Sequence, residues 1–530
     1  VSFRAFRCSK EFLVYPQILL FLLLSGNFLF SALYSVFYGM FGDKIMAEKS
    51  KSKSKAPAAG FWKREQGWDK LKAGEEKALE KYCAEYREFL SQAKTERLTH
   101  DFLVKCAIEA GFQELEKAAA GGGKLKPGAK VYRSCGGKTL MLIRLGKAPL
   151  SEGMNLVGGH SDCPRLDAKP YPLYQEDDLL LLDTHYYGGI RKYQWVAMPL
   201  AMYGVVILRN GKKVNIAIGD QPDDPVFVIT DLLPHLDIEA GKKTLADGIN
   251  GESLNVLVGS RPVDKKEDDK DCKDKTKLRI LRLLRASYGI EEEDFFSAEL
   301  ELVPAGAARE LGLDRSMILG YGHDDRVCAY AGARALLDST GIPHRTQVAL
   351  ICDKEEIGSY GATGMDSTFL ENTVAELLEA CGGYCGLALR RTLERSKMLS
   401  ADVTALHDPD FASVSSPNNM SRINCGLAVT KYTGSRGKAG ASDASAEFAA
   451  EVRKIFNDAD VVWQSCELGK VDVGGGGTIS HYMARYGMDV IDCGVGLFSM
   501  HAPWEVAGKL DIYMAWKGYK AFLESKFPVR

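Results

Sequence analysis

Thr346-Gln347-Val348-Ala349-Leu350-Ile351-Cys352-Asp353-Lys354-Glu355-Glu356-Ile357-Gly358-Ser359 is an apolar run that ends in two adjacent glutamates and a glycine-rich loop, with Gly361 and Gly364 following. A short apolar run bounded by turn residues predicts a buried strand. An ionised carboxylate is seldom buried without a cation, a donor or a metal beside it, so packing accounts poorly for a Glu pair at a strand's end. One of the pair can bind a metal while its neighbour, pointing elsewhere, accepts a proton from water. An isolated Glu-Glu is more often a solvated loop, so the decision rests on what else in the chain shares this setting.

Upstream, Met154-Asn155-Leu156-Val157-Gly158 reads as a similar strand and ends in Gly159-His160-Ser161-Asp162. The two-residue period of a strand places His160 and Asp162 on one face. Tyr321-Gly322-His323-Asp324-Asp325-Arg326 precedes a helix of small residues over 328–338. Downstream come a helix over 372–380, Leu399-Ser400-Ala401-Asp402-Val403, a helix over 442–456, and strands over 461–463 and 490–495. Gly474-Gly475-Gly476-Gly477 leads into a helix over 479–486, Ser499-Met500-His501 follows the 490–495 strand, and a last helix covers 510–523. This alternation predicts an α/β fold with a mostly parallel central sheet covered by helices and functional side chains at the strand ends. Before it, helices are expected over 68–93 and from Thr99 to Gly111, and strands over 130–132 and 139–143.

At 530 residues the chain exceeds one ordinary hydrophobic core. Residues 61–169 and 306–530 are expected to form one discontinuous domain. Residues 170–305, strand-like at 178–183, 214–218 and 226–230, form a β-rich insertion carrying a solvated mixed-charge run over 264–277. Lys and Arg total 68 against 70 for Asp and Glu, which leaves no basic field for nucleic acid. The 13 cysteines show no CxxC motif, and Cys328, Cys352 and Cys493 lie in apolar runs, as packed thiols of a reducing, cytoplasmic compartment do. Residues 1–45 combine Arg4, Arg7 and Lys10 with an apolar stretch from Ile18. That is the pattern of a signal sequence or anchor. Because Met46-Ala47-Glu48-Lys49 looks like a protein start, residues 1–60 are expected to be an upstream segment and disordered tail outside the fold, leaving no membrane span in the mature fold.

His160, Asp324, Glu356, Asp402 and His501 each fall at a strand end or a helix start. Two His and three carboxylates suit two divalent ions of the zinc kind if one Asp bridges them. Asp162 then orients His160 through its second ring nitrogen, and Glu355 is left as general base. The Gly474 run lacks the Lys-Ser/Thr ending of a phosphate loop, so close backbone packing near the site is expected of it. No GxSxG elbow is present.

The motifs GGHSDCPRLDAKP (158–170), GHDDRVCAYAGARALLD (322–338), DKEEIGS (353–359), SADVT (400–404) and SMHAPWE (499–505) resemble, in order, those of the M18 metallo-aminopeptidases, the group of aspartyl aminopeptidase and vacuolar aminopeptidase I, in its bacterial-type branch. The resemblance implies a zinc-exopeptidase-like fold and removal of single residues from peptides with a free N-terminus. It implies that His160, Asp324 and Asp402 hold one zinc, that Glu356, Asp324 and His501 hold the other with Asp324 as bridge, and that cobalt or manganese can stand in. It assigns Glu355 as base. It makes the insertion a dimerisation domain whose His235 reaches the neighbouring subunit's site, makes Lys431 a substrate contact, and implies a tetrahedral dodecamer built from dimers. Aspartyl-preferring members carry a His three residues after the Asp of SAD, where this chain has Ala405, with His407 two positions on. Preference is therefore open between acidic and neutral N-terminal residues. A metal-dependent deacylase of N-acyl amino acids and a silent assembly scaffold are the alternatives.

Overall fold

The strand Thr346–Cys352 is buried along its whole length, and its side chains divide between two cores. Ala349 and Ile351 join Leu140, Leu142, Val157, Leu399 and Ile491 on one face. Val348, Leu350 and Cys352 join Met141, Ile143, Leu156, Met398 and Val490 on the other. This is the two-residue alternation of a strand covered on both sides, and each fully buried aliphatic side chain contributes about 1.5–3 kcal/mol. A computed structural model describes residues 62–264 and 271–527. The expectations for residues 1–60 and for the middle of the mixed-charge run lie outside the described residues.

Nine strands make the central sheet, in the order Gln113–Glu114, Lys130–Cys135, Thr139–Arg144, Thr346–Cys352, Met154–His160, Lys397–Ser400, Asp489–Gly494, Leu427–Thr430 and Trp463–Cys466. The four at its centre, from Thr346–Cys352 to Asp489–Gly494, run parallel. Antiparallel pairings on either side of these four make the sheet mixed, while most neighbouring strands are parallel, as expected. Apolar periodicity reports burial and says nothing about pairing direction. One face is covered by the helices His323–Leu337 and Lys509–Leu523.

Six strands between Arg165 and Pro304 form a separate antiparallel sheet, in the order Lys213–Ile218, Leu200–Ile207, Ala298–Pro304, Arg165–Glu176, Leu179–Tyr187 and Val256–Gly259. It has its own apolar core, built on Trp195, Leu166, Leu300 and Leu302. The expected strand over 226–230 makes only isolated bridges, at Phe227 and Val228. A third, five-stranded sheet joins Arg309–Leu311, Met317–Gly320, Glu505–Gly508, Gly496–Phe498 and Thr404–Ala405.

The second N-terminal helix starts at Glu96, with the Thr95 hydroxyl accepting from the Leu98 N–H. Thr99, expected to open that helix, is buried inside it. The cap is the residue whose oxygen reaches the free N–H groups of the first turn, and Thr95 stands one turn earlier. Among the described residues no helix is long and apolar enough to cross a membrane.

Candidate active site

Six of the sequence-predicted side chains meet where the parallel strands end. His160 closes the strand Met154–His160, and Glu355 and Glu356 lie in a single 3₁₀ turn just beyond Thr346–Cys352. Lys354 (φ 68°) and Gly358 (φ 94°) bracket that turn in the left-handed region, so the chain reverses sharply enough to present both carboxylates. Asp402 follows the strand Lys397–Ser400, and Asp324 lies in the first turn of His323–Leu337, joined to Asp325 by a cis peptide bond. His501 follows the Gly496–Phe498 strand.

Asp324 stands between the two imidazoles. Its Oδ1 lies 3.3 Å from His160 Nε2 and its Oδ2 3.2 Å from His501 Nε2. His160 Nε2 also faces Asp402 Oδ1 at 3.9 Å and Glu355 Oε2 at 4.0 Å, while His501 Nε2 faces Glu356 Oε1 at 3.6 Å. The donor atoms of His160, Asp324 and Glu356 lie within 4.8 Å of one another, as do those of His160, Glu355 and Asp402. These residues border a cavity of about 400 Å³, together with Gly475, Gly476 and Gly477 of the glycine run.

The charges in this cluster are unbalanced. Burial pushes the Glu355 carboxyl up to about 7 and Glu356 and Asp402 well above the carboxylate range. Burial acts on Asp324 in the same sense, but its hydrogen bonds to His160 and His501 outweigh it and hold Asp324 low. Burial opposes charge on His501, and contact with Asp324 and then Glu356 carries it up to about 10. Four buried or half-buried carboxylates facing two imidazoles lack positive charge, which a divalent cation supplies. Glu356 Oε1 is buried with no hydrogen-bond partner, as an oxygen reserved for an ion is. The donor set of imidazoles and carboxylates suits zinc among other divalent ions.

Behind this layer, Asp162 is fully buried. His160 Nδ1 lies 2.9 Å from the Asp162 carbonyl and 3.3 Å from its carboxylate, so the backbone makes the shorter contact expected of the side chain. The carboxylate instead accepts from the backbone N–H groups of Glu355 and Glu356, at 3.1 and 3.2 Å. Asp162 therefore orients the His and the Glu pair together, from outside the cavity. Two other supports were not singled out from sequence. Glu505, inside the SMHAPWE stretch, accepts from the backbone N–H of Asp324 at 3.0 Å and of His501 at 2.7 Å. Asp325 accepts from the His160 N–H at 3.2 Å. Their adjacency to the motif residues was the only signal.

The remaining two predicted residues lie elsewhere. His235 is exposed in the turn Pro234–Leu236, and Lys431 is exposed between Thr430 and Thr433, which border the cavity while Lys431 itself does not.

Close packing fixes the layer sterically. A Cβ on Gly494 would lie 1.8 Å from the carbonyl oxygen of Asp402. Gly494→Ala is therefore expected to cost about 1–3 kcal/mol of stability and to lower turnover further than unfolding explains. Denaturant melts beside rate measurements check this, and unchanged turnover would separate Asp402 from the chemistry.

The sequence profile of the family described as Aminopeptidase I zinc metalloprotease (M18) matches residues 89–523. The chain belongs to the M18 family. It is 48% identical over 458 residues to a Clostridium acetobutylicum protein named "probable M18 family aminopeptidase 1", covering 86% of this chain and 97% of that one. The crystal structure of an M18 aminopeptidase from Thermotoga maritima superposes with a TM-score of 0.82 at 41% identity, covering 88% of this chain and all of that one. The structure of the S. cerevisiae mApe1 dodecamer shares the fold, with a TM-score of 0.68 at 22% identity over 84% of this chain and 97% of that one. As an M18 member the chain is a metallo-aminopeptidase, and its family is one of zinc enzymes.

Proposed function

We propose that this M18 enzyme is a dinuclear aminopeptidase, with His160, Asp324 and Asp402 holding one ion and Glu356, Asp324 and His501 the other. The observation that carries the reading is Asp324, one oxygen of which faces each histidine at 3.3 and 3.2 Å. Zinc is the expected occupant, with cobalt or manganese able to replace it. Bound there, such ions polarise a carbonyl and lower the pKa of water. Glu355 borders the cavity and makes no hydrogen bond to either imidazole, its nearest approach being 4.0 Å to His160. It takes the proton of the attacking water and returns it to the leaving amine. Asp162 keeps Glu355 and His160 in register during that exchange.

Neutral N-terminal residues are favoured over acidic ones in this reading. Asp492 borders the cavity and no Lys or Arg does, among the described residues. His407 is turned to Ser415, 3.0 Å away, and does not replace the His missing at Ala405. The second sheet serves as the dimerisation domain, and by analogy with the S. cerevisiae dodecamer dimers assemble further into a tetrahedral dodecamer, with the exposed His235 presented to a neighbouring subunit. The cysteines among the described residues are all free, in keeping with a cytoplasmic setting.

Initial rates on free aminoacyl substrates with Leu, Met, Lys, Arg, Asp and Glu, beside their N-acylated forms, test the reading. Activity is expected to be lost with chelator, to return with zinc, cobalt or manganese, and to rank Leu or Met above Asp and Glu. Turnover of the N-acylated forms alone would make the enzyme a deacylase. Mass photometry reads the assembly.

A further inference from the structure

The strand Leu179–Tyr187 belongs to the second sheet, yet its end lies against the metal cluster at three points. The Tyr187 hydroxyl donates to Asp162 Oδ2 at 2.8 Å. The Gly189 carbonyl lies 2.9 Å from His501 Nδ1. A Cβ on Gly188, at φ +72°, would sit 3.4 Å from the Glu356 side chain. Asp162 is the group that holds His160 and the backbone of the Glu pair, so one three-residue segment supports the outer side of both histidines.

The segment is itself anchored. Tyr187 pairs with Arg165 across two strands, and the Arg165 guanidinium lies 3.9 Å from the centre of the Tyr187 ring. Arg165 is buried and held by Asp167 at 2.7 Å, Glu301 at 3.2 Å and Glu96 at 3.4 Å. The ring is thus fixed on a cation that three carboxylates fix in turn, and the hydroxyl has one direction to point. Burial, and then the Asp162 carboxylate, push the phenol above its ordinary range, so it stays a donor.

We propose that Tyr187 and Gly189 are positioning residues of the metal centre: Tyr187 acts through Asp162 on His160 and the Glu355-Glu356 turn, and Gly189 acts on His501. The second sheet is then part of the metal site's support as well as a surface for assembly. This rests on the two-ion reading above. Outer hydrogen bonds of this kind fix the tautomer and direction of a ligating imidazole, and their loss typically costs about 10–100-fold in metal affinity or activity.

The test compares the full chain with Tyr187→Phe, which deletes one hydroxyl and keeps the ring on Arg165. Zinc affinity by competition with a chromogenic chelator is measured beside the melting temperature of the metal-free protein, its mass, and kcat and KM. The expected result is zinc bound about 10–100-fold more weakly, with kcat lowered, KM little changed, the metal-free melting temperature and mass unaltered, and turnover partly restored by excess zinc. Zinc affinity and kcat within twofold of the parent would overturn the proposal. Gly189→Ala is the second arm, because its methyl would sit 3.3 Å from His501 Nδ1 without touching Arg165. It is expected to weaken one zinc equivalent and spare the other, and it tests the segment's hold on the metal centre through His501 even if Tyr187→Phe does not fold. Both equivalents bound as tightly as in the parent would remove Gly189 from the proposal. A parent protein that binds no zinc would instead remove the two-ion reading itself.

Discussion

Glu355→Gln is expected to leave a folded protein that still binds zinc and whose kcat is lower by roughly 10²–10⁴-fold, the span that a positioned general base contributes. The substitution is nearly isosteric, so the turn Glu355–Ile357 and the N–H that Glu355 gives to Asp162 are retained. What disappears is the ability to take a proton inside the cavity that Glu355 borders. KM is expected to change little, because no substrate-holding group is removed. Zinc content by atomic absorption, taken on the protein used for the rates, separates the two ways of losing activity. A variant with full zinc and near-normal turnover would place the base elsewhere. A variant that loses zinc would make Glu355 a ligand, which its company with His160 and Asp402 permits geometrically.

Asp324→Asn is expected to have a larger effect on metal binding than any other single change in the cluster. Each of its two oxygens faces a different imidazole, so in the proposed two-ion arrangement one substitution withdraws a charged ligand from both ion positions. The amide keeps one oxygen and replaces the other by a group that cannot ligate, and the anion between the two histidines is gone. Affinity is expected to fall by more than the roughly 100-fold upper end for an outer-layer residue, and no detectable turnover should remain at stoichiometric zinc. Histidine titration by NMR on metal-free protein gives a second reading. The proton affinity of His501, raised to about 10 with Asp324 as its first favourable contact, should move down. An unaltered His501 titration would contradict the contact itself.

The chemistry of this site was more legible in the sequence than its support. His160, Asp324, Glu356, Asp402 and His501 stand at strand ends and helix starts, where a charged side chain has no packing reason to be, and the structure brings all five together with Glu355. Tyr187 and Gly189 gave no such signal. One works through a hydroxyl on an otherwise ordinary strand tyrosine and the other through a backbone carbonyl, which every residue possesses. Fold elements divided in the same way. Buried strands announced themselves by composition, whereas the antiparallel pairings flanking the centre of the main sheet and the isolated bridges at 227 and 228 depend on which distant strand lies alongside. The start of the second N-terminal helix went to Thr95 because hydrogen-bond reach, and not the first apolar turn, sets a cap.

The six side chains of the cluster come from five separate segments, from His160 at the end of one central strand to His501 beyond another. A nascent chain therefore carries an incomplete set until His501 has been made and has left the ribosome. No N-terminal fragment that stops short of position 501 can hold all six side chains, however well its own strands pair.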